Sequence, residues 1–513
     1  MGTIRHALLL AASVCGLCGS ADAAWHEAKS KHFIIYADLK PAELKAYAER
    51  LERFDRAVRV LRGMEDVPLT DSQRLTVYAL QSENAVARLG GMATAKGFYS
   101  ASASGAMAFV PRKVSSTTAS WYLETEMIFF HEYAHHLQLQ FSSFAIPPWM
   151  VEGFAEFFAT AKLEKDGNVL IGAPPQYRGY ALFNETGLRL DQIVGATYEK
   201  LDDHQTDLLY GMGWLLTHYL TFEPSRKGQI KQYIDAIQKG TSPADAAKAA
   251  FGDLRQLDRE LAKYKRGKFP AVRITGASLA TGPIDVRQLG AGEAAIMDVH
   301  MRSRRGVNSK TAPPVAADAR KAAAPYPSDP FVQTALAEAE FDSGNYAAAD
   351  AAADRALAAD PKYVRAMIYK GKAQMELAKK DPKPDWAKVR SWFIRANKLD
   401  TENAEPLMLY FRSFVEADER PTKNAIDALM YAATLAPQDD SLRLQAVYQM
   451  LREDRISEAK ALFAPLAYLP HASEKFRDTS GKVMAAMAVG DGKAALAVLD
   501  SVMKSAEEET KKP

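Results

Sequence analysis

The sequence predicts an α+β domain followed by an all-α helical solenoid, and three observations carry that expectation. Over residues 24–117, short apolar runs of strand type alternate with helical patterns, as in a small sheet with helices. Over 118–268 long helical patterns take over, and one of them contains His131-Glu132-Tyr133-Ala134-His135. From 326 to 513 the pattern is helical throughout, and similar closing turns recur along it. A chain of 513 residues, 48% hydrophobic and 25% charged, has the length and composition of two or three globular domains. Its net charge of +2 makes no electrostatic case for a nucleic acid or a membrane surface. No Gly-rich phosphate loop or dinucleotide fingerprint occurs.

Residues 1–23 read as a secretory leader. Arg5 and His6 form a short basic start, residues 7–19 are small and Leu-rich, and Ala21-Asp22-Ala23 offers an A-x-A cleavage site. The apolar run is too short to span a bilayer, and no other stretch reaches that length. The expectation is an exported protein, periplasmic or secreted, with no transmembrane segment in the mature chain. Cys15 and Cys18, the two cysteines, both fall in the leader. The mature chain would then have no disulfide, cysteine metal site or thiol nucleophile.

Within 24–117, His32-Phe33-Ile34-Ile35-Tyr36 reads as a strand. Pro41 opens a helix that runs to about Gly63, with Leu44, Leu51, Phe54, Val58 and Leu61 at helical spacing. Residues 75–80 are a second strand, and 84–89 a short helix closed by Gly90-Gly91. Residues 97–103 and 106–110 read as two strands that meet near Ser104-Gly105.

Within 118–268, residues 121–141 contain neither Pro nor Gly and suit one helix; Pro147-Pro148 breaks it, and a second helix starts near Trp149. Residues i and i+4 share a helical face, so His131 and His135 can present two imidazoles to one metal ion. Glu132, one position round, can reach a metal-bound water without ligating the metal. A catalytic zinc takes three protein ligands and keeps one position open. Glu152 is the best third candidate, because the sixteen residues after His135 suffice for a helix end, a turn and a new first turn. Glu156 lies one turn further on the same face, where it can accept the outer ring N–H of a ligand histidine. The plain alternative is two histidines on an ordinary amphipathic helix.

Residues 169–172 suggest a short strand, 174–186 an irregular segment, and 188–193 and 198–201 short elements. Residues 207–222 are helical, with Tyr210 near the start, where a phenol could donate to a developing oxyanion. His204 and His218 are lesser candidates for that role, and His136 should point away from the metal face. Helices follow at 230–239, 243–251 and 254–264. Residues 269–325 read as a linker with short strands, and 303–325, rich in Arg, Lys, Ala and Pro, as a loosely structured connection. Beyond it, closing turns at positions 361, 401, 437 and 470 are 40, 36 and 33 residues apart. Such helix pairs cannot bury their apolar faces alone and must stack.

His131-Glu132-x-x-His135 with Glu152 resembles the gluzincin metallopeptidases, the group that includes thermolysin and aminopeptidase N. Trp149-Met150-Val151-Glu152-Gly153-Phe154-Ala155 is similar to their W-L-N-E-G-F-A block, whose Glu is the third zinc ligand. Tyr210-Gly211-Met212-Gly213-Trp214 resembles a Y-x-K-G-a segment whose Tyr stabilises the tetrahedral intermediate, with Met212 in place of the Lys. No G-x-M-x-N segment, the exopeptidase motif of aminopeptidase N, precedes the first zinc helix. The closest likeness is to secreted bacterial "peptidase MA-like" proteins, and it spans residues 25–264. It implies a zincin-like domain with one Zn2+ per chain on His131, His135 and Glu152, Glu132 as general base and Tyr210 as oxyanion donor. It also implies that the strand before the zinc helix borders the cleft and pairs with an extended peptide. Separately, residues 335–349 with Ala356-Leu357-Ala358-Ala359-Asp360-Pro361 resemble a tetratricopeptide (TPR) repeat, which implies a protein partner on the solenoid.

The expected function is therefore that of an exported zinc metallopeptidase acting on a peptide or protein substrate, with a TPR-like domain for protein recruitment. The alternative is an envelope scaffold, assembly or chaperone-like protein that works through its repeats, with a non-catalytic zinc site.

Overall fold

A computed structural model describes residues 24–91, 97–112, 125–139, 145–196, 201–468 and 473–510. The leader expected over 1–23 lies outside the described residues, as does the repeat closure at 470. The strands are β1 (His26–Lys29), β2 (Phe33–Ala37), β3 (Leu75–Leu80), β4 (Phe98–Ser102), β5 (Gly105–Pro111), β6 (Lys162–Leu163), β7 (Val169–Ile171), β8 (Val272–Ile274) and β9 (Asp285–Gln288). The helices of the first half are α1 (Pro41–Arg62), α2 (Glu83–Gly90), α3 (Thr125–Leu139), α4 (Pro148–Ala159), α5 (Gly179–Asn184), α6 (Leu190–Gly195), α7 (Asp203–Phe222), α8 (Gln229–Gln238), α9 (Pro243–Phe251) and α10 (Leu254–Tyr264). Then come α11 (Ala291–Arg304), α12 (Ala312–Ala323), α13 (Pro330–Asp342), α14 (Tyr346–Ala359), α15 (Val364–Ala378), α16 (Trp386–Leu399), α17 (Ala404–Glu416), α18 (Lys423–Leu435), α19 (Asp440–Arg452), α20 (Ile456–Ala467), α21 (Glu474–Ala488) and α22 (Gly492–Thr510).

Six strands form one mixed sheet in the order β4-β5-β3-β2-β1-β9. β2, β3 and β5 run parallel, whereas β4 and β1 pair antiparallel with β5 and β2. Side chains alternate across the sheet. Phe33, Ile35, Leu75, Val77, Ala106 and Ala108 belong to one core with Leu44, Leu51 and Phe54 of α1 and Phe129, Phe130 and Tyr133 of α3. Tyr78, Leu80, Met107 and Phe109 belong to another, with Val86 of α2 and Met297 and Met301 of α11. Parallel strands require such cover on both faces. α1 stops at Gly63, which takes a left-handed φ of 62° as its C-cap. Of the two strands that precede α3, β5 is interior and β4 is the edge among the described residues.

α4 is buried along its whole length and packs between α3 and α7. Its contact with α7 is backbone to backbone. A Cβ added at Gly153 would lie 2.3 Å from the Gly213 carbonyl oxygen, and one at Gly213 would lie 2.6 Å from the Trp149 oxygen. The segment expected to be irregular over 174–186 contains a 3-10 turn at Gln176–Arg178 and then α5.

Residues 269–325 are not a linker. β8 pairs with β7, β9 pairs with β1, and α11 and α12 pack on each other and on α13. The prolines that suggested a loose connection, Pro313 and Pro314, sit in the first turn of α12, where a missing N–H costs no helical bond. Its Ala312, Ala316, Ala319 and Ala323 are buried, so small residues here permit close helix contact.

The last ten helices form five pairs, starting at Pro330, Val364, Ala404, Asp440 and Glu474. Each helix packs on its sequence neighbours, which is the one-dimensional contact pattern of a solenoid. Residues of α13, α15 and α17, the first helices of their pairs, face the sheet across a cleft of about 600 Å³, lined by Tyr36 and Tyr78 on one side and Arg365 and Glu405 on the other. Polar contacts join the sheet side to the helices that follow it. The Ala103 N–H donates to Asp439 Oδ2 at 2.7 Å, Arg304 Nη2 to the Ser104 oxygen at 3.0 Å, and Tyr78 Oη lies 3.0 Å from His300 Nε2.

Candidate metal centre

α3 buries Phe129, Phe130, Tyr133, Ala134 and Leu137 against the sheet and α1. This orientation turns His131, Glu132 and His135 to its half-buried side. α4 opposes them with Glu152 and Glu156, which are 2% and 1% exposed on an otherwise apolar helix. Charge is costly there unless it is paired.

The donor atoms of the three expected ligands converge. His131 Nε2 and His135 Nε2 are 3.1 Å apart, and Glu152 Oε2 is 3.5 Å from each of them. A tetrahedral zinc with N/O bonds of ~2.0–2.1 Å has ligand–ligand edges of ~3.3–3.4 Å. The triangle thus has the size of one face of a zinc tetrahedron, and two imidazoles with one carboxylate are a zinc-type donor set. The charge fits as well. Burial alone would lower the His131 pKa, but Glu152, Glu156 and Glu132 outweigh it and raise it to about 9. The site draws positive charge.

Glu156 lies on the outer side of His131, its Oε1 3.7 Å from Nδ1. It is held by two residues that sequence reasoning missed. Tyr177 Oη donates to Oε2 at 2.6 Å, and Arg178 donates to Oε1 through Nη2 at 2.7 Å and Nε at 3.1 Å. Both come from the segment expected to be irregular, where nothing in the local pattern marks them. The outer nitrogen of His135, Nδ1, is buried without a hydrogen-bond partner among the described residues.

Tyr210 projects from α7 towards the triangle, its ring 6.3 Å from that of His131. Burial, then Glu152, raises its pKa, so the phenol stays protonated and able to donate. Glu132 is close enough to help raise the pKa of Tyr99, His131 and Tyr210. His136, His218 and His204 have other partners. His136 Nδ1 faces Tyr99 Oη on β4 at 2.9 Å, and burial lowers its pKa to about 3. His218 lies between Tyr264 Oη at 2.9 Å and the Gly172 oxygen at 3.0 Å, with its pKa lowered by burial to about 4. His204 is exposed and pairs with Glu185 at 3.1 Å.

Among the described residues one other group could hold a cation, namely His32, Glu52 and Asp55 behind α3. Its carboxylates are already engaged. Glu52 accepts from the His32 N–H at 2.8 Å, and Asp55 accepts from Arg59 Nε at 2.8 Å and from Tyr133 Oη at 2.7 Å. Tyr133, inside the H-E-x-x-H motif, thus anchors the back of α3.

No protein-family model matches the chain, and no curated protein matches it. Among solved structures it is similar to TPR proteins. A thermophilic TPR protein of Thermus thermophilus is 17% identical over 37% of this chain and 97% of its own, with a TM-score of 0.32. PilF of Pseudomonas aeruginosa is 16% identical over 43% of this chain and 98% of its own, with a TM-score of 0.33. Yeast Tom70 is 14% identical over 61% of this chain and 68% of its own, with a TM-score of 0.25. The repeat architecture is read from the chain's own helix pairs.

Proposed function

We propose that this chain is a zinc-dependent metallopeptidase. The observation that carries the reading is the convergence of His131 Nε2, His135 Nε2 and Glu152 Oε2 on a triangle of zinc size. These atoms would hold the ion, which when bound supplies Lewis-acid polarisation of a scissile carbonyl and of the attacking water. Glu132 stands beside the triangle on the same helix. It accepts the proton released as water oxygen bonds to the carbonyl carbon, and returns a proton to the amine nitrogen as the C–N bond breaks. The Tyr210 phenol donates to the oxygen on which negative charge develops. The Glu156 carboxylate, 3.7 Å from His131 Nδ1, favours the ring proton on that outer nitrogen and so an unprotonated Nε2 on the inner side. The strand β4, at the edge of the sheet among the described residues, lies beside α3, where an extended peptide could pair with it.

The test is the zinc content of the purified protein by mass spectrometry, with peptide-library turnover beside it. About one zinc per chain is expected. His135→Ala should lose zinc and turnover, whereas Glu132→Ala should keep zinc and lose turnover. Retained turnover in Glu132→Ala rules out this mechanism. Absence of zinc from the folded wild-type protein, even after adding it back, moves the reading to the second one. That second reading, a scaffold or chaperone-like protein, is favoured by the five stacked helix pairs. It predicts that the zinc-free His135→Ala protein still captures a partner through its repeats.

A further inference from the structure

We propose that Arg178 is a positioning residue that holds Glu156 beside His131 and Tyr210 beside the metal triangle as a single unit. The proposal rests on the zinc reading above and adds a residue to which that reading gives no role. Arg178 comes from neither helix that carries the proposed ligands, yet its guanidinium contacts Glu156, Asp207, Tyr177 and Tyr210. Nη2 and Nε donate to Glu156 Oε1 on α4 at 2.7 and 3.1 Å. Nη1 donates to Asp207 Oδ1 at the start of α7. The guanidinium carbon lies 4.8 Å from the ring centre of Tyr210 and 5.4 Å from that of Tyr177. One side chain therefore fixes the carboxylate behind a ligand histidine, the phenol in front of it, and the spacing of α4 and α7.

The sequence makes room for this. A Cβ at Gly211 would lie 2.9 Å from Leu182 Cγ and 3.7 Å from Arg178 Cβ, so the glycine lets the 178–182 segment lie flush on α7 beside Tyr210. Charge gives a second reason. Glu132, Glu152 and Glu156 share one small region, and Glu156 is 1% exposed. Without a cation, the Glu156 carboxylate would be repelled by its neighbours and poorly solvated. Both prongs of the guanidinium converge on Oε1, the oxygen 3.7 Å from His131 Nδ1, while Tyr177 holds Oε2, so the carboxylate is restrained beside the imidazole. A lysine can restore the charge but not that fork.

The experiment uses the full chain. Zinc affinity is measured by chelator competition for wild type, Arg178→Ala, Arg178→Lys, Glu156→Gln and the double variant Glu156→Gln/Arg178→Ala, with the melting temperature of each zinc-free protein as a folding control. Loss of a group behind a metal ligand typically weakens binding about 10–100-fold. Arg178→Ala should show a loss of that size, Arg178→Lys an intermediate one, and the double variant no more than Glu156→Gln alone. On any cleaved peptide, kcat should fall while KM stays put. Zinc affinity within twofold of wild type in a folded Arg178→Ala protein overturns the proposal, as do additive losses in the double variant. If Arg178→Ala does not fold, Arg178→Lys decides: wild-type zinc affinity and kcat in that variant overturn the forked role. A wild-type protein that binds no zinc overturns the function reading itself, a result distinct from all of these.

Discussion

His32 shows how much a single side chain can tie together behind the candidate centre. Its Nδ1 meets Glu52 at 2.7 Å and Asp55 at 3.3 Å, and its Nε2 meets Asp66 at 2.9 Å. Burial would lower its pKa and Arg59 opposes protonation, but the hydrogen bond to Glu52 and the charges of Asp55 and Glu52 win, and the pKa is raised. The folded state therefore binds this proton more tightly than the unfolded chain. The stabilisation is fully present below the unfolded value of about 6.5 and is lost as pH rises through the higher folded value. Despite burial, His32 holds Glu52 low, and Lys31 with His32 holds Asp66 low, so the cage also weakens in acid as pH falls through those folded values. Melting temperature should fall from pH ~6.5 upward in wild type and change less in His32→Gln. Equal slopes in a pH series of thermal melts would refute the cage. The proposed ligand residues are legible in the sequence because helical periodicity puts His131 and His135 on one face without outside help. Tyr133, Tyr177 and Arg178 are not, because their partners come from elements whose placement only tertiary packing decides.

Between helices, α4 and α7 approach so closely that an added methyl would collide with backbone. Gly153 and Gly213 let α4 and α7 touch, and this contact sets how far Glu152 stands from Tyr210. Gly153→Ala would force a methyl against the Gly213 carbonyl and should cost about 1–3 kcal/mol, as overpacking of a tight core does. Gly179→Ala is the matched control, since nothing lies within 4 Å of its added Cβ. Denaturant midpoints measure both, and similar midpoints for the two variants would disprove the contact. The sequence displays both glycines beside the E-x-x-x-E and Tyr210 motifs, yet no spacing rule says that they meet. α12 departs from expectation for a related reason. A Pro-Pro pair signals a break when the local pattern does not reveal that it opens a helix rather than interrupting one.

At the scale of the molecule, the solenoid is more than an appendage. Asp439 caps α19 through the Leu442 N–H at 2.9 Å and also accepts from Ala103 on the β4–β5 turn at 2.7 Å. Asp439→Ala should raise amide exchange over residues 98–105 while leaving α4 protected, as read by hydrogen–deuterium exchange; unchanged protection of the turn would show that the solenoid does not brace the sheet edge. The two-part architecture is legible from the change from alternating to repeating patterns along the chain, but the boundary is not, because β8 and β9 return to the first half after α10. That return has a consequence for how the chain is made. β1 finds its outer neighbour only when Asp285–Gln288 arrives, pairing His26 with Gln288 and Lys29 with Asp285. A ribosome must therefore release more than half of the chain before its sheet can close, and the earliest strands wait with an exposed rim that other chains could template upon. Non-local closure of this kind slows folding. A fragment ending at residue 268 would never complete that step, and should emerge prone to self-association even though it carries every proposed ligand.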